Sequence, residues 1–73
     1  MEKRFLVVTY SDDIGSDDRM DFTRISTAAK DAEAYRGIEE YAAVYDKKSR
    51  TAYVIFGDIN TRVFADNVTV MPF

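Results

Sequence analysis

The sequence predicts an α+β domain, with one α-helix packed on a mostly antiparallel sheet of four or five strands. Three observations carry this. The apolar, β-branched runs at 4–10 and 51–56 are too short for helices. One alanine-rich segment, 28–36, lies between hydroxyl residues that suit a cap and Gly37. Short polar breaks at 47–50, 57–61 and 66–67 cut the second half into hairpin-sized pieces. A chain of 73 residues makes one domain, 1–73.

Each element has its own reason. Residues 4–10 (Arg-Phe-Leu-Val-Val-Thr-Tyr) read as a strand, and residues 11–21 as a polar, acidic loop. Phe22 to Ile25 reads either as a short edge strand or as the lead-in to the helix. Ser26 or Thr27 suits the N-cap, and Ala28 to Arg36 follows in good helix formers. Ala28, Ala32 and Tyr35 share one face at i, i+4 and i+7, with Ala29 beside them. Arg36 suits the last turn and Gly37 the C′ position. Glu40 to Asp46 and Thr51 to Phe56 form a hairpin with the basic tip Lys47-Lys48-Ser49-Arg50. Arg62 to Ala65 and Val68 to Met71 are strand-like runs around Asp66-Asn67, a pair that tolerates left-handed backbone angles. The first strand is expected to insert between later ones.

Side chains at i and i+2 share a face of a strand. Phe5, Val7 and Thr9 therefore oppose Leu6, Val8 and Tyr10, and Ala52, Val54 and Phe56 oppose Tyr53 and Ile55. Both strands are apolar on both sides, whereas a half-solvated sheet alternates apolar with polar. One short helix covers part of one face. The other is either buried by curling of the sheet into a partial barrel or left as a Tyr-rich contact patch.

Composition removes several functions. With no Cys and no His, disulfides, thiolate metal sites and the commonest general base are absent. A net charge of −3 disfavours general nucleic-acid binding. No apolar run approaches the ~20 residues that span a bilayer, and Phe5 to Val8 is too short for a secretory h-region. The expected compartment is the cytoplasm, and no cofactor is called for.

The motif Tyr10-Ser11-Asp12-Asp13 matches the Tyr-x-Asp-Asp of polymerase metal centres. That chemistry needs a further carboxylate and a much larger cleft. With Gly15 at position 6 of a calcium loop, Tyr10 falls at position 1 and Ile14 at position 5, and neither is a ligand of the required type. The acidic cluster Asp12, Asp13, Asp17, Asp18 and Asp21 is then a solvated loop, an acidic contact surface for a basic partner, or a weak divalent-metal site. Lys47, Lys48 and Arg50 suit phosphate contact, with Tyr41, Tyr45 or Tyr53 for base stacking, or a solvated tip that deters edge pairing.

The resulting expectation is a small non-enzymatic protein-binding module, an inhibitor, adaptor or regulator of a larger protein. Its contact residues would be Tyr10, the five aspartates, Tyr53 and Ile55. A homodimer is compatible with this. In general appearance the chain resembles small phage-encoded or accessory bacterial proteins that bind a larger host protein. That resemblance implies a protein partner and no particular residues. The alternatives are a nucleic-acid-binding regulator acting through Lys47, Lys48 and Arg50, and a metal-binding protein acting through the acidic loop.

Overall fold

The computed structural model describes residues 3–10, 19–59 and 67–73, with backbone alone at Tyr10 and at 19–21. The described strands are β1 (Phe5–Tyr10), β2 (Arg19–Phe22), β3 (Tyr41–Asp46), β4 (Thr51–Phe56) and β5 (Thr69–Pro72), with one helix, α1 (Ile25–Glu33). They form one open sheet in the order β2-β1-β3-β4-β5. The α+β class is as expected, and β1 is interior, between β2 and β3. The sheet is not closed into a barrel: among the described residues, β2 and β5 are its edges.

Two features differ from the sequence reading. Residues 19–21 belong to a strand rather than to the acidic loop. Arg-Met-Asp has little β-propensity of its own, but antiparallel pairing with β1 supplies the strand, with Phe5 opposite Phe22 and Val8 opposite Arg19. The sheet is also mixed: β5 runs parallel to β4, with Thr51 opposite Thr69 and Val54 opposite Pro72. A parallel neighbour needs a crossover of about a dozen residues, and 57–68 supply that length. The strand expected at Arg62 to Ala65 lies outside the described residues. Asn67 adopts the left-handed conformation, φ 71°.

Helix α1 begins one residue before the expected caps. Arg24 holds the N-cap position, extended at φ −125° and ψ 139°, and no side chain caps the helix. Ser26 and Thr27 lie within the first turn. The helix ends at Glu33 rather than Arg36. Beyond it, Ile38 N–H and Glu39 N–H both donate to Tyr35 O, and Gly37 takes φ 85°. Ala28 and Ala32 are fully buried. Their small size lets the helix sit close on Phe5, Val7, Ala42 and Val44, with Phe22, Ile25, Ala29, Tyr35, Ile55 and Phe56 around that cluster.

The register breaks between Ala42 and Ala43: Ala42 faces Phe56, but Ala43 faces Val54. Ile55 is therefore the extra residue of a β-bulge. A bulge interrupts the two-residue alternation. As a result Ile55 and Phe56 both pack against the helix-side cluster, instead of on opposite faces as strict alternation would have it. Tyr53 lies opposite Val44 and so belongs to the same side. Gly57 follows at φ 77°. A Cβ there would stand 2.1 Å from Glu40 O and 2.9 Å from Tyr41 Cα, so only glycine lets the end of β4 pass so close to the start of β3.

On the face away from the helix, Val8, Tyr41, Ala43 and Ala52 are buried, each at 2% exposure or less. The centre of that face is closed within the single chain. Of the two alternatives for the second face, burial holds at its centre, and Tyr53 and Ile55 lie on the helix side instead.

Candidate functional site

Two surfaces carry the chemistry. The first is at the sheet end where β1 begins. The registers bring Phe5 opposite Asp46 on one flank and opposite Phe22 on the other. Arg4 therefore sits between the exit of β3 and the exit of β2. Lys47 N–H donates to Arg4 O at 3.1 Å and ties the hairpin tip to it. Arg4, Thr23, Lys47 and Lys48 line a cleft of about 440 Å³.

Asp46 organises this end. Its side chain is 5% exposed and accepts from Arg4 Nε and Nη2, both at 2.7 Å. It also accepts from the backbone N–H of Lys48 at 3.0 Å and of Ser49 at 3.3 Å, closing the tip as an Asx-type turn. The Arg4 guanidinium, assisted by those N–H groups and opposed by burial, holds the Asp46 carboxyl well below the usual carboxylate range. The Arg4 guanidinium also lies 5.1 Å from the centre of the Phe5 ring, which fixes it further. Lys47 Nζ donates to Lys3 O at 3.2 Å.

The second surface is the β5 margin. Val70, Met71 and Phe73 are exposed, Phe73 at 63%. The Phe73 ring meets Tyr53 edge-on, 6.2 Å between centroids at 87°. Met71 lies opposite Tyr53, so Tyr53, Met71 and Phe73 continue the helix-side face beyond α1, which lies chiefly over β1 and β3. Thr69 N–H donates to Arg50 O and Phe73 N–H to Val54 O. The odd-numbered residues thus address β4, and Val70 and Pro72 turn their backbone outward. Proline has no N–H to offer there, so the free edge is blunted against strand addition while the ladder to β4 stays intact.

The sequence-derived residues fall as follows. Tyr10 ends β1 opposite Tyr41, and Asp21 lies on β2 opposite Leu6. Asp12, Asp13, Asp17 and Asp18 lie outside the described residues. Tyr53 edges the β5 surface, whereas Ile55 packs inward. Lys47 and Lys48 line the cleft, and Arg50 closes the tip at φ 55°. Of the stacking set, Tyr41 is buried at the far end of β3 and Tyr53 packs on Phe73, while Tyr45 is half-buried next to Asp46 at the tip end. Sequence reasoning missed Arg4, Thr23 and Asp46 because only strand register joins them, and missed Met71 and Phe73 because β5 was expected in a hairpin. Among the described residues, no three acidic side chains are grouped to hold a metal ion, and no helix is long and apolar enough to cross a membrane. No family model, no curated protein and no solved structure matches this chain.

Proposed function

We propose that this chain is a non-enzymatic protein-binding module that docks through the β5 margin. The observation that carries the reading is the exposed strip of Met71 and Phe73 flanking Tyr53 on a sheet edge. Aromatic residues and methionine are enriched at interfaces, where an apolar body and a polar rim suit a partner. Pro72 blanks the outward backbone, so the partner engages side chains rather than adding a strand. This moves the contact surface away from the acidic loop and Ile55 and keeps Tyr53.

A photo-cross-linker at position 71 tests the reading in extracts of cells that express the protein. The expected result is a discrete cross-linked species that disappears in Met71→Glu/Phe73→Glu and persists in Lys47→Ala/Lys48→Ala. The same species captured equally by the Glu variant would refute it. Nucleic-acid binding through Lys47, Lys48 and Arg50 is the second reading. It draws on the basic cleft, with Tyr45 next to Asp46 at the tip end of β3, and a salt-dependent gel shift lost in the triple Ala variant is its test.

A further inference from the structure

From the cleft at the start of β1 we infer a binding site for a phosphate monoester dianion, independent of the β5 surface. The chain carries a net charge of −3, yet Lys3, Arg4, Lys47, Lys48 and Arg50, half of its ten basic residues, gather at this sheet end. The cleft itself is lined by Arg4, Lys47, Lys48 and the hydroxyl-bearing Thr23. Among the described residues, Arg4, Lys47 and Lys48 line the cleft and Asp46 is the carboxylate paired with Arg4, an excess of positive charge that suits an anion. A volume of about 440 Å³ lies within the range of small-molecule sites, roughly 300–1,000 Å³, and admits a phosphate with an attached organic group.

The site is also built rather than merely charged. A guanidinium has five N–H donors, and the fork on Asp46 uses Nε and one from Nη2. Asp46 thus holds the Arg4 plane in place while Nη1 remains directed away from the fork. Asp46 also accepts from the backbone N–H of Lys48 and Ser49, which ties down the tip that presents Lys47 and Lys48. Thr23 enters from the opposite flank through the β1–β2 register and adds a hydroxyl donor. Cations from two strands with a hydroxyl on the opposite flank suit a group with several acceptor oxygens.

The ligand supplies a distinctive pH signature. A phosphate monoester loses its second proton near pH ~6. Among the described residues, the charged groups at this end are Lys3, Arg4, Asp46, Lys47, Lys48 and Arg50; Asp46 stays ionised far below that pH, and the chain has no histidine. Affinity should therefore follow the ionisation of the ligand, rising between pH 5 and 7.5 by up to about tenfold when the dianion alone binds.

The test is amide-shift titration of the full chain with a nucleoside monophosphate, with inorganic phosphate and with a single-stranded oligonucleotide, at constant ionic strength in chloride. The expected result is saturable shifts at Thr23, Lys47 and Lys48. These should weaken at least fivefold in Lys48→Gln and in Lys47→Gln, stay unchanged in Lys30→Gln, and strengthen with pH for the monophosphate. Binding of inorganic phosphate alone assigns the site to free phosphate, and tighter monophosphate binding assigns it to an esterified one. Binding of the oligonucleotide alone, shifts that chloride reproduces, or shifts indifferent to both lysine substitutions would overturn the inference. Both lysines are exposed, so these variants do not disturb the Arg4–Asp46 pair on which folding of the tip relies.

Discussion

Replacing Asp46 by Ala removes one acceptor from four N–H groups: two on Arg4 and the backbone donors of Lys48 and Ser49. Breaking a fully buried ion pair costs about 3–5 kcal/mol, and an exposed one about 0.2–1. This pair lies between those limits, with side-chain exposure of 5% at Asp46 and 43% at Arg4. The Arg4 guanidinium and the two tip amides recover part of their hydration from solvent. Asp46→Ala is therefore expected to cost about 2 kcal/mol, or a fall in Tm of about 10 °C for a domain of this size. Urea unfolding followed by circular dichroism reads the first figure and a thermal scan the second. The pH dependence has a definite sign. In the unfolded chain the Asp46 carboxyl takes up a proton near pH 4, while in the fold it resists protonation to much lower pH. The unfolded state binds more protons across that window, so the stability from Asp46 is fully present above about pH 5 and declines as pH falls. Wild type and Asp46→Ala should converge between pH 5 and pH 2. A double-mutant cycle with Arg4→Met should be non-additive. A cost under about 0.5 kcal/mol, parallel pH profiles, or additivity within about 0.5 kcal/mol would show that Asp46 does not organise this end of the sheet.

Three further outcomes follow from backbone and core. Gly57→Ala should destabilise by about 3 kcal/mol or more, because its Cβ would meet backbone atoms of Glu40 and Tyr41; Gly37→Ala, at φ 85° with nothing within 4 Å, should lose only about 1 kcal/mol. Equal costs in denaturant unfolding would remove the close-approach argument. Arg24→Ser should raise stability by about 1 kcal/mol, since the extended N-cap has no side-chain cap now; an unchanged urea midpoint would count against it. Thr9 is 1% exposed and its hydroxyl has no hydrogen-bond partner, so Thr9→Val should raise the midpoint by the equivalent of about 1 kcal/mol, and a loss would mean that the hydroxyl is in fact satisfied.

The elements legible in the sequence are those in which local preference and final environment agree. Phe5 to Tyr10, Tyr41 to Asp46 and Thr51 to Phe56 carry β-branched and aromatic residues at strand lengths, and all three are strands. Ala28 and Ala32 mark the buried helix face because small residues at that spacing suit close packing on a sheet. Residues 19–21 were not legible: Arg-Met-Asp becomes a strand only because β1 offers an edge. The helix start was misjudged because Ser26 and Thr27 are good caps by type, whereas the chain turns into the helix at Arg24. The sides of Ile55 and Phe56 were misjudged because a period of two has no place for a bulge.

That bulge decides where a partner could sit. Strict alternation put Tyr53 and Ile55 on a face thought to be open, with Phe56 opposite. The extra residue at Ile55 instead lets β4 bury Ile55 and Phe56 beside the helix. Tyr53 stays on the same side but beyond the helix, at the margin where β5 adds Met71 and Phe73. At the centre of the opposite face Val8, Tyr41, Ala43 and Ala52 are buried. The exposed apolar area therefore moves from the middle of a face to its rim. On the rim, Pro72 lets an exposed strip exist without inviting strand-to-strand aggregation. At the other site the same logic runs through register: Arg4 and Thr23 are unremarkable in sequence, and pairing Phe5 with both Asp46 and Phe22 is what brings them to Lys47 and Lys48. A one-residue slip of β3 against β1 would shift Asp46 off Arg4 and turn the side chains of β3 to the other face. The charge at this end is thus a property of strand pairing more than of composition.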